Sequence, residues 1–300
     1  MFNLDVKNQK ILINNESIEL WIKREDEIHP FISGNKYRKV KYNIDEAKRQ
    51  NLDTLLTFGG AFSNHILAVA VTGKELGLKT IGIIRGNELE NNFNTNPTLS
   101  FAYSCGMQFK FVSRDAYREK TSEEFIKSLE LEFGKFYLLP EGGTNTFAVS
   151  GCEEILRLED KYFDYICSAV GTGGTISGLI NSSISHQKVF GFPALKGDFL
   201  NNEIKKYTSK TNWQLITDYH FGGYAKINNT LVEFINNFKN DFDIPLDPVY
   251  TGKMLFGIFD MIEKGNFAKG SKILAIHTGG LQGILGMNMR LETKKMQLIK

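Results

Sequence analysis

The strongest constraint on this chain is a rhythm that begins at residue 54: a short apolar burst, a glycine-rich or polar turn, then a longer amphipathic stretch. The bursts fall at 54–58, 80–84, 108–112, 136–139, 165–169, 188–191 and 272–277 and are rich in β-branched and aromatic residues. Short runs of this kind, bounded by glycine, are strands buried on both faces of a parallel sheet. Helical stretches at 63–76, 121–133 and 146–160 supply the crossovers that parallel neighbours require. Ahead of the rhythm, 10–13 and 17–23 read as short strands around an Asn14-Asn15 turn, and 36–50 as a basic helix. The expected class is α/β with open sheets. A length of 300 residues leaves room for two compact domains or one large one.

Composition excludes several functions. Lys and Arg number 36 against 34 Asp and Glu, a net charge of +2 that calls for no nucleic-acid partner. The longest apolar runs, such as 66–71, fall far short of the roughly 20 residues that cross a bilayer, so no membrane role is expected. The opening MFNLDVKNQK is charged and lacks the apolar segment of a secretory signal. Cys105, Cys152 and Cys167 are too few and too widely spaced for a disulfide framework or a zinc ribbon. The histidines at 29, 65, 186, 220 and 277 form no metal constellation either. A reducing, cytoplasmic setting and chemistry without a catalytic metal are the expectations.

Three glycine-rich turns carry the chemical signals. The first, AVGTGGTISG (169–178), follows a strand and opens a helix expected to reach about residue 185. Backbone N–H groups across Gly171, Thr172, Gly173, Gly174 and Thr175 can converge on one anion, and the helix N-terminus adds partial positive charge. Thr172 and Thr175 add hydroxyls. No Gly-Lys-Ser/Thr follows, and Ile176 stands where a dinucleotide fingerprint needs its third glycine. A single phosphate, held without a lysine, is the expected guest; tight strand–helix packing alone is the alternative. The second turn, FGGAFSNH (58–65), offers Ser63 as a helix N-cap and Gly77 as that helix's stop. It also sets Asn64 and His65 at the carboxyl end of a strand, where open α/β sheets bind ligands. The third turn, HTGG (277–280), follows the last burst and closes the sheet.

Lys36 lies directly after Gly34-Asn35 at the start of the basic helix, among charges (23–26 and 33–39) that otherwise read as a solvated helix start. At this point the chain resembles the fold-type II pyridoxal-phosphate enzymes. Within them it is most similar to the 1-aminocyclopropane-1-carboxylate deaminase/D-cysteine desulfhydrase family. The resemblance rests on KRED (23–26), GNKYRK (34–39), TFGGAFSNH (57–65), AVGTGGTISG (169–178), LDPVYTGK (246–253) and HTGG (277–280), in the family's order. It implies two open, twisted, mostly parallel sheets flanked by helices. A smaller domain, 40–144, is inserted in a larger one built from 1–39 and 145–300, with pyridoxal 5'-phosphate in the cleft between them.

The same resemblance implies roles. Lys36 is the catalytic lysine that takes the cofactor aldehyde, the 171–175 turn takes its phosphate, and Asn64 meets the pyridoxal 3-oxygen. Ser63, Asn64 and His65 hold the substrate carboxylate. Tyr250, and Tyr224 26 residues earlier, stand near the substrate, although GGYAKINN around Tyr224 departs from the deaminase pattern. Deaminases of this family carry glutamate after the tyrosine and leucine after the late histidine; this chain has Thr251 in the substrate pocket and Thr278 at the pyridine nitrogen. A threonine supplies no charge to the electron sink, which favours expulsion of a thiolate over ring opening. The expected reaction is elimination from D-cysteine, giving pyruvate, ammonia and hydrogen sulfide, by a homodimer. The alternatives are deamination of 1-aminocyclopropane-1-carboxylate and a non-catalytic amino-acid-binding relative. A nucleotide-dependent oxidoreductase using the 171–178 turn would leave Lys36 without a purpose. The segments 87–97 and 181–213 are brief for the family.

Overall fold

The computed structural model describes residues 6–15, 17–32 and 34–300; Ser33, at the head of the charged segment before Lys36, lies outside them. The chain opens on β1 (Asn8–Ile11) and β2 (Glu19–Lys23), then α1 (Asn35–Arg49). Next come β3 (Thr54–Gly59), α2 (Asn64–Leu76), β4 (Lys79–Arg85), α3 (Pro97–Ser104) and β5 (Gln108–Val112). Short α4 (Arg114–Arg118), α5 (Glu123–Phe133), β6 (Tyr137–Leu139) and α6 (Thr146–Glu153) follow. The rest runs β7 (Tyr165–Val170), α7 (Gly174–Ser182), β8 (Lys188–Pro193), α8 (Phe199–Lys205), β9 (Trp213–Leu215) and α9 (Asn229–Phe242). It ends with α10 (Thr251–Glu263), β10 (Lys272–Ile276) and α11 (Gly283–Thr293).

Two sheets result, a six-stranded one ordered β1-β2-β10-β7-β8-β9 and a four-stranded one ordered β5-β4-β3-β6. All pairings are parallel except β1 with β2. β3 and β7 are buried along their whole length, as continuous apolar runs in covered parallel sheets must be. α2 is buried from His65 through Gly73, which explains its lack of a polar face. Its ends are set locally: Ser63 Oγ accepts from the Ile66 N–H, and Gly77 closes it at φ +68°.

Each sheet has a point where the chain's direction of growth reverses. In the larger sheet β7 leads outward to β8, while β10 returns on its other side; in the smaller, β3 leads to β4 while β6 adds opposite. Loops at the carboxyl ends of strands diverge there and leave a crevice. The turns after β7, β10, β3 and β6 are the glycine-rich segments beginning near 171, 277, 59 and 141. The two crevices therefore carry every turn the sequence singles out, plus one it does not.

Three expectations need correction. The helix expected over 146–160 stops at Glu153, and a 3-10 turn takes over at Leu158–Tyr162. Asp160 is the cause: its carboxylate accepts from the Arg157 N–H (2.8 Å) and from Lys23 Nζ (2.7 Å), so the chain turns around a buried anion. The helix after the 171–175 turn ends at Ser182 rather than near 185, where Ser183 Oγ donates to the Ile180 carbonyl. The charges around Lys36 are not a solvated helix start. Lys23, Glu25 and Arg38 are fully buried, Arg24, Asp26 and Lys39 nearly so.

Those charges survive burial by pairing. Arg38 grips Glu25 through two hydrogen bonds (2.9 and 2.7 Å), and Lys23 meets Asp160. They tie α1 to the segment after β2, and β2 to the turn after α6. Removing one member of such a pair strands the other charge. Arg38→Met should lower the unfolding free energy by about 3–5 kcal/mol, whereas Glu25→Leu combined with it should recover part of the loss. Urea midpoints of the three proteins measure this, and a double variant no more stable than Arg38→Met would contradict it.

Candidate active site

α1 delivers two lysines to one carbonyl. Its start is fixed by Gly34, at φ +64°, where a Cβ would lie 1.9 Å from the Thr278 carbonyl oxygen. Only glycine allows this approach. The Asn35 N–H then donates to that same oxygen (3.3 Å), and Asn35 Nδ2 donates to Thr175 Oγ1 (2.7 Å). Thus α1 is locked both to the turn after β10 and to the first turn of α7. One residue further, Lys36 Nζ donates to the Gly142 carbonyl at 3.0 Å, and Lys39, one turn on, donates to it at 3.1 Å. Burial holds the Lys36 amine well below the usual lysine range, with the neighbouring Lys39 charge acting in the same direction. Burial brings Lys39 down to about 8.

The turn after β7 is a cup. Gly173 sits at φ +87° as the residue before α7, and Gly174 and Thr175 form its buried first turn. A Cβ on Gly174 would meet Thr144 Oγ1 at 2.8 Å and Lys39 Nζ at 3.3 Å. Thr172 Oγ1 lies 2.6 Å from Thr144 Oγ1, so the turn after β6 closes the cup's side. The expected lysine-free cup has a lysine beside it: Lys39 arrives from α1, 135 positions before Gly174 in the chain. A Cβ on Gly171 would touch the Tyr250 ring at 3.2 Å, and Tyr250 meets Tyr224 edge-on, with centroids 6.3 Å apart. Burial raises the Tyr250 hydroxyl pKa well above its usual range, so it stays a neutral phenol. Tyr224 is 48% exposed, at the outer end of this aromatic pair.

The turn after β3 faces the same space. Asn64 Oδ1 accepts from Gln282 Nε2 (2.7 Å), and a Cβ on Gly280 would stand 2.9 Å from Asn64 Nδ2. The His65 ring is buried against Gly143, where a Cβ would lie 2.6 Å from Cε1. Neither ring nitrogen has a hydrogen-bond partner among the described residues, and burial, then Lys36 and Lys39, push its pKa well down, keeping the ring neutral. Thr278 is buried at the end of β10. Thr251 is fully buried, and its hydroxyl accepts from the Asp247 N–H at 3.0 Å.

Comparison with known proteins decides the family. The pyridoxal-phosphate dependent enzyme family matches residues 9–279. The chain belongs to that family. It is 32% identical over 286 residues, 88% of its length and 85% of the relative's, to a Pyrococcus horikoshii protein provisionally named 1-aminocyclopropane-1-carboxylate deaminase. It is 32% identical over 293 residues, 89% of its length and 73% of the relative's, to the mitochondrial bifunctional D-cysteine desulfhydrase/1-aminocyclopropane-1-carboxylate deaminase of Arabidopsis thaliana. A crystal structure of a 1-aminocyclopropane-1-carboxylate deaminase homologue superimposes with a TM-score of 0.83 at 30% identity, covering 97% of this chain and 94% of the other. The fold is that of the fold-type II pyridoxal-phosphate enzymes.

The residues present suit that cofactor. A buried amine with a depressed pKa, a glycine cradle that a Cβ would fill, a helix N-terminus and a second lysine at its rim meet an aldehyde and a phosphate. Lys36 would take the aldehyde, and Gly171–Thr175 with Lys39 would take the phosphate. Residues that sequence reasoning did not single out are Lys39, Gly142 and Thr144, and Gln282 beside Asn64. Asp247 and Lys253 belong with them, since the LDPVYTGK stretch drew notice only for its tyrosine and threonine. Asp247 accepts from the Val249, Tyr250 and Thr251 N–H groups (3.2, 2.6 and 2.8 Å), capping α10 and fixing Tyr250. Burial still raises it to about 6.

Lys39→Met should weaken binding of pyridoxal phosphate by about tenfold, roughly 1.4 kcal/mol. Because Lys39 loses its charge as pH rises through about 8, native affinity should fall between pH 7 and 9 more steeply than that of the variant. Absorbance titration, with inorganic phosphate as competitor, reads both. Native affinity in the variant would leave the anion to backbone N–H groups alone.

Proposed function

We propose that this enzyme catalyses elimination from D-cysteine, with water consumed and pyruvate, ammonia and hydrogen sulfide released. The observation that carries the choice of substrate is the pair Thr251 and Thr278, where the resemblance puts glutamate and leucine in deaminases. Thr251 Oγ1 accepts from the Asp247 N–H, and the Asp247 carboxylate beside it is committed to three backbone N–H groups. Neutral groups at these positions suit loss of a good leaving group such as a thiolate.

When bound, pyridoxal phosphate supplies an electron sink for a carbanion at Cα. The chain's own residues do the rest. Lys36, kept neutral by burial and by Lys39, is the base for the Cα proton. The N-terminus of α2, with Ser63 and Asn64, receives the substrate carboxylate. Tyr250 and Tyr224 wall the side where the sulfur departs, and the Tyr250 phenol, protonated at working pH, is a proton donor for the departing thiolate.

The reading assigns 40–144, around the four-stranded sheet, as the smaller domain, and 1–39 with 145–300 as the larger. It sets the enzyme in the cytoplasm as a homodimer; three buried, unpaired cysteines support a reducing compartment. A second reading, deamination of 1-aminocyclopropane-1-carboxylate to 2-oxobutanoate and ammonia, is favoured by the names of the relatives above.

A keto-acid assay on both substrates separates the two. D-Cysteine should yield pyruvate and sulfide, while the cyclopropane substrate yields no appreciable 2-oxobutanoate. Faster turnover of the cyclopropane substrate would replace the first reading by the second. Lys36→Ala should abolish turnover and the cofactor's visible band while keeping the fold. A borohydride-fixed adduct on another lysine would move the anchor.

A further inference from the structure

Lys253 has no place in the chemistry above, yet it is 2% exposed and sits in the first turn of α10. A buried ammonium at the positive end of a helix is doubly unfavourable. Its Nζ donates to the carbonyls of His220 (2.9 Å) and Gly223 (2.9 Å), which bracket the tip of the loop between β9 and α9. That loop carries Tyr224. Its backbone holds four consecutive-region left-handed residues, Phe221 (φ 54°), Gly222 (93°), Gly223 (117°) and Ala225 (53°), two of them with side chains. Such a conformation persists only where surrounding contacts impose it.

α10 supplies those contacts from one face. Lys253 takes the two carbonyls, Phe256 packs edge-on against Phe221 (centroids 5.0 Å apart), and Asp260 accepts from Tyr219 Oη (2.6 Å). Spacings of three and four keep these side chains in a row. Of the three, only Lys253 grips the residues on both sides of the strained tip. We propose that Lys253 is a positioning residue: its ammonium clamps the His220 and Gly223 carbonyls and thereby holds Tyr224 over the cleft against Tyr250. That role rests on the reading of Tyr224 as a wall of the substrate site. It also gives α10 a double task, since Asp247 caps this helix and aims Tyr250 while Lys253 aims Tyr224.

The test is Lys253→Met in the cofactor-loaded enzyme, alone and with Tyr224→Phe. Hydrogen exchange over 220–226 should accelerate by roughly tenfold or more, because two buried acceptors lose their donor, while α9 and β10 keep native protection. D-Cysteine kcat/KM should fall by about tenfold in the native background and much less once Tyr224 is already Phe. Lys253→Gln takes the place of the Met variant if that protein does not fold. Unchanged exchange at 220–226, or losses of equal size in both backgrounds, would overturn the proposal. If native enzyme leaves D-cysteine unconsumed, the substrate reading fails, and the exchange measurement still decides the clamp.

Discussion

The close approach of residue 34 to the Thr278 carbonyl is the contact on which the rest depends. It forces the chain to begin α1 against the carboxyl edge of the larger sheet, at the crevice between β10 and β7. From there the helix runs toward the smaller sheet, and its first turn presents Lys36 and Lys39 to the turn after β6. A side chain at 34 would displace the helix start, and with it both lysines. One missing Cβ thus sets the distance between the Lys36 amine and the glycine cup after β7.

Such a design needs charges inside the protein, and their management explains the density of ionic residues at 23–39. The pairs Arg38–Glu25 and Lys23–Asp160 neutralise themselves, and Arg24 is taken up by Asp26. Lys36 and Lys39 have no carboxylate partner among the described residues and share a single carbonyl. Two amines in that situation repel, which favours releasing a proton from the more deeply perturbed one. A neutral His65 beneath them adds no third charge.

Much of this was legible in the sequence. Bursts bounded by glycine marked seven of the ten strands, because parallel strands covered on both faces cannot hide their composition, and the Asn14-Asn15 turn marked β1 and β2. β9 escaped: three residues, Trp213–Leu215, held by one neighbour carry no periodicity. α10 escaped too, because its first turn was read as chemistry instead of a helix capped by Asp247. At the site, Lys36 and the 171–175 cup were visible as local patterns. Lys39 and Thr144 were not, since each acts on a cup far along the chain and its function exists only once α1 and β6 are packed. The buried state of KRED was also invisible, because a pairing partner such as Asp160 lies 137 residues from Lys23.

The two threonines illustrate how a local difference is anchored in packing. Thr251 is the first residue of α10, and its hydroxyl accepts from the Asp247 N–H while its own N–H donates to the Asp247 carboxylate. A glutamate there would bring a second carboxylate beside a buried aspartate already raised to about 6. One of the two would have to stay protonated, or the cap would open and release Tyr250. Exchanging this threonine for glutamate therefore disturbs the cap as well as the local charge. The two effects are inseparable, because the residue that would bring the charge is also the one that starts α10 directly after Tyr250.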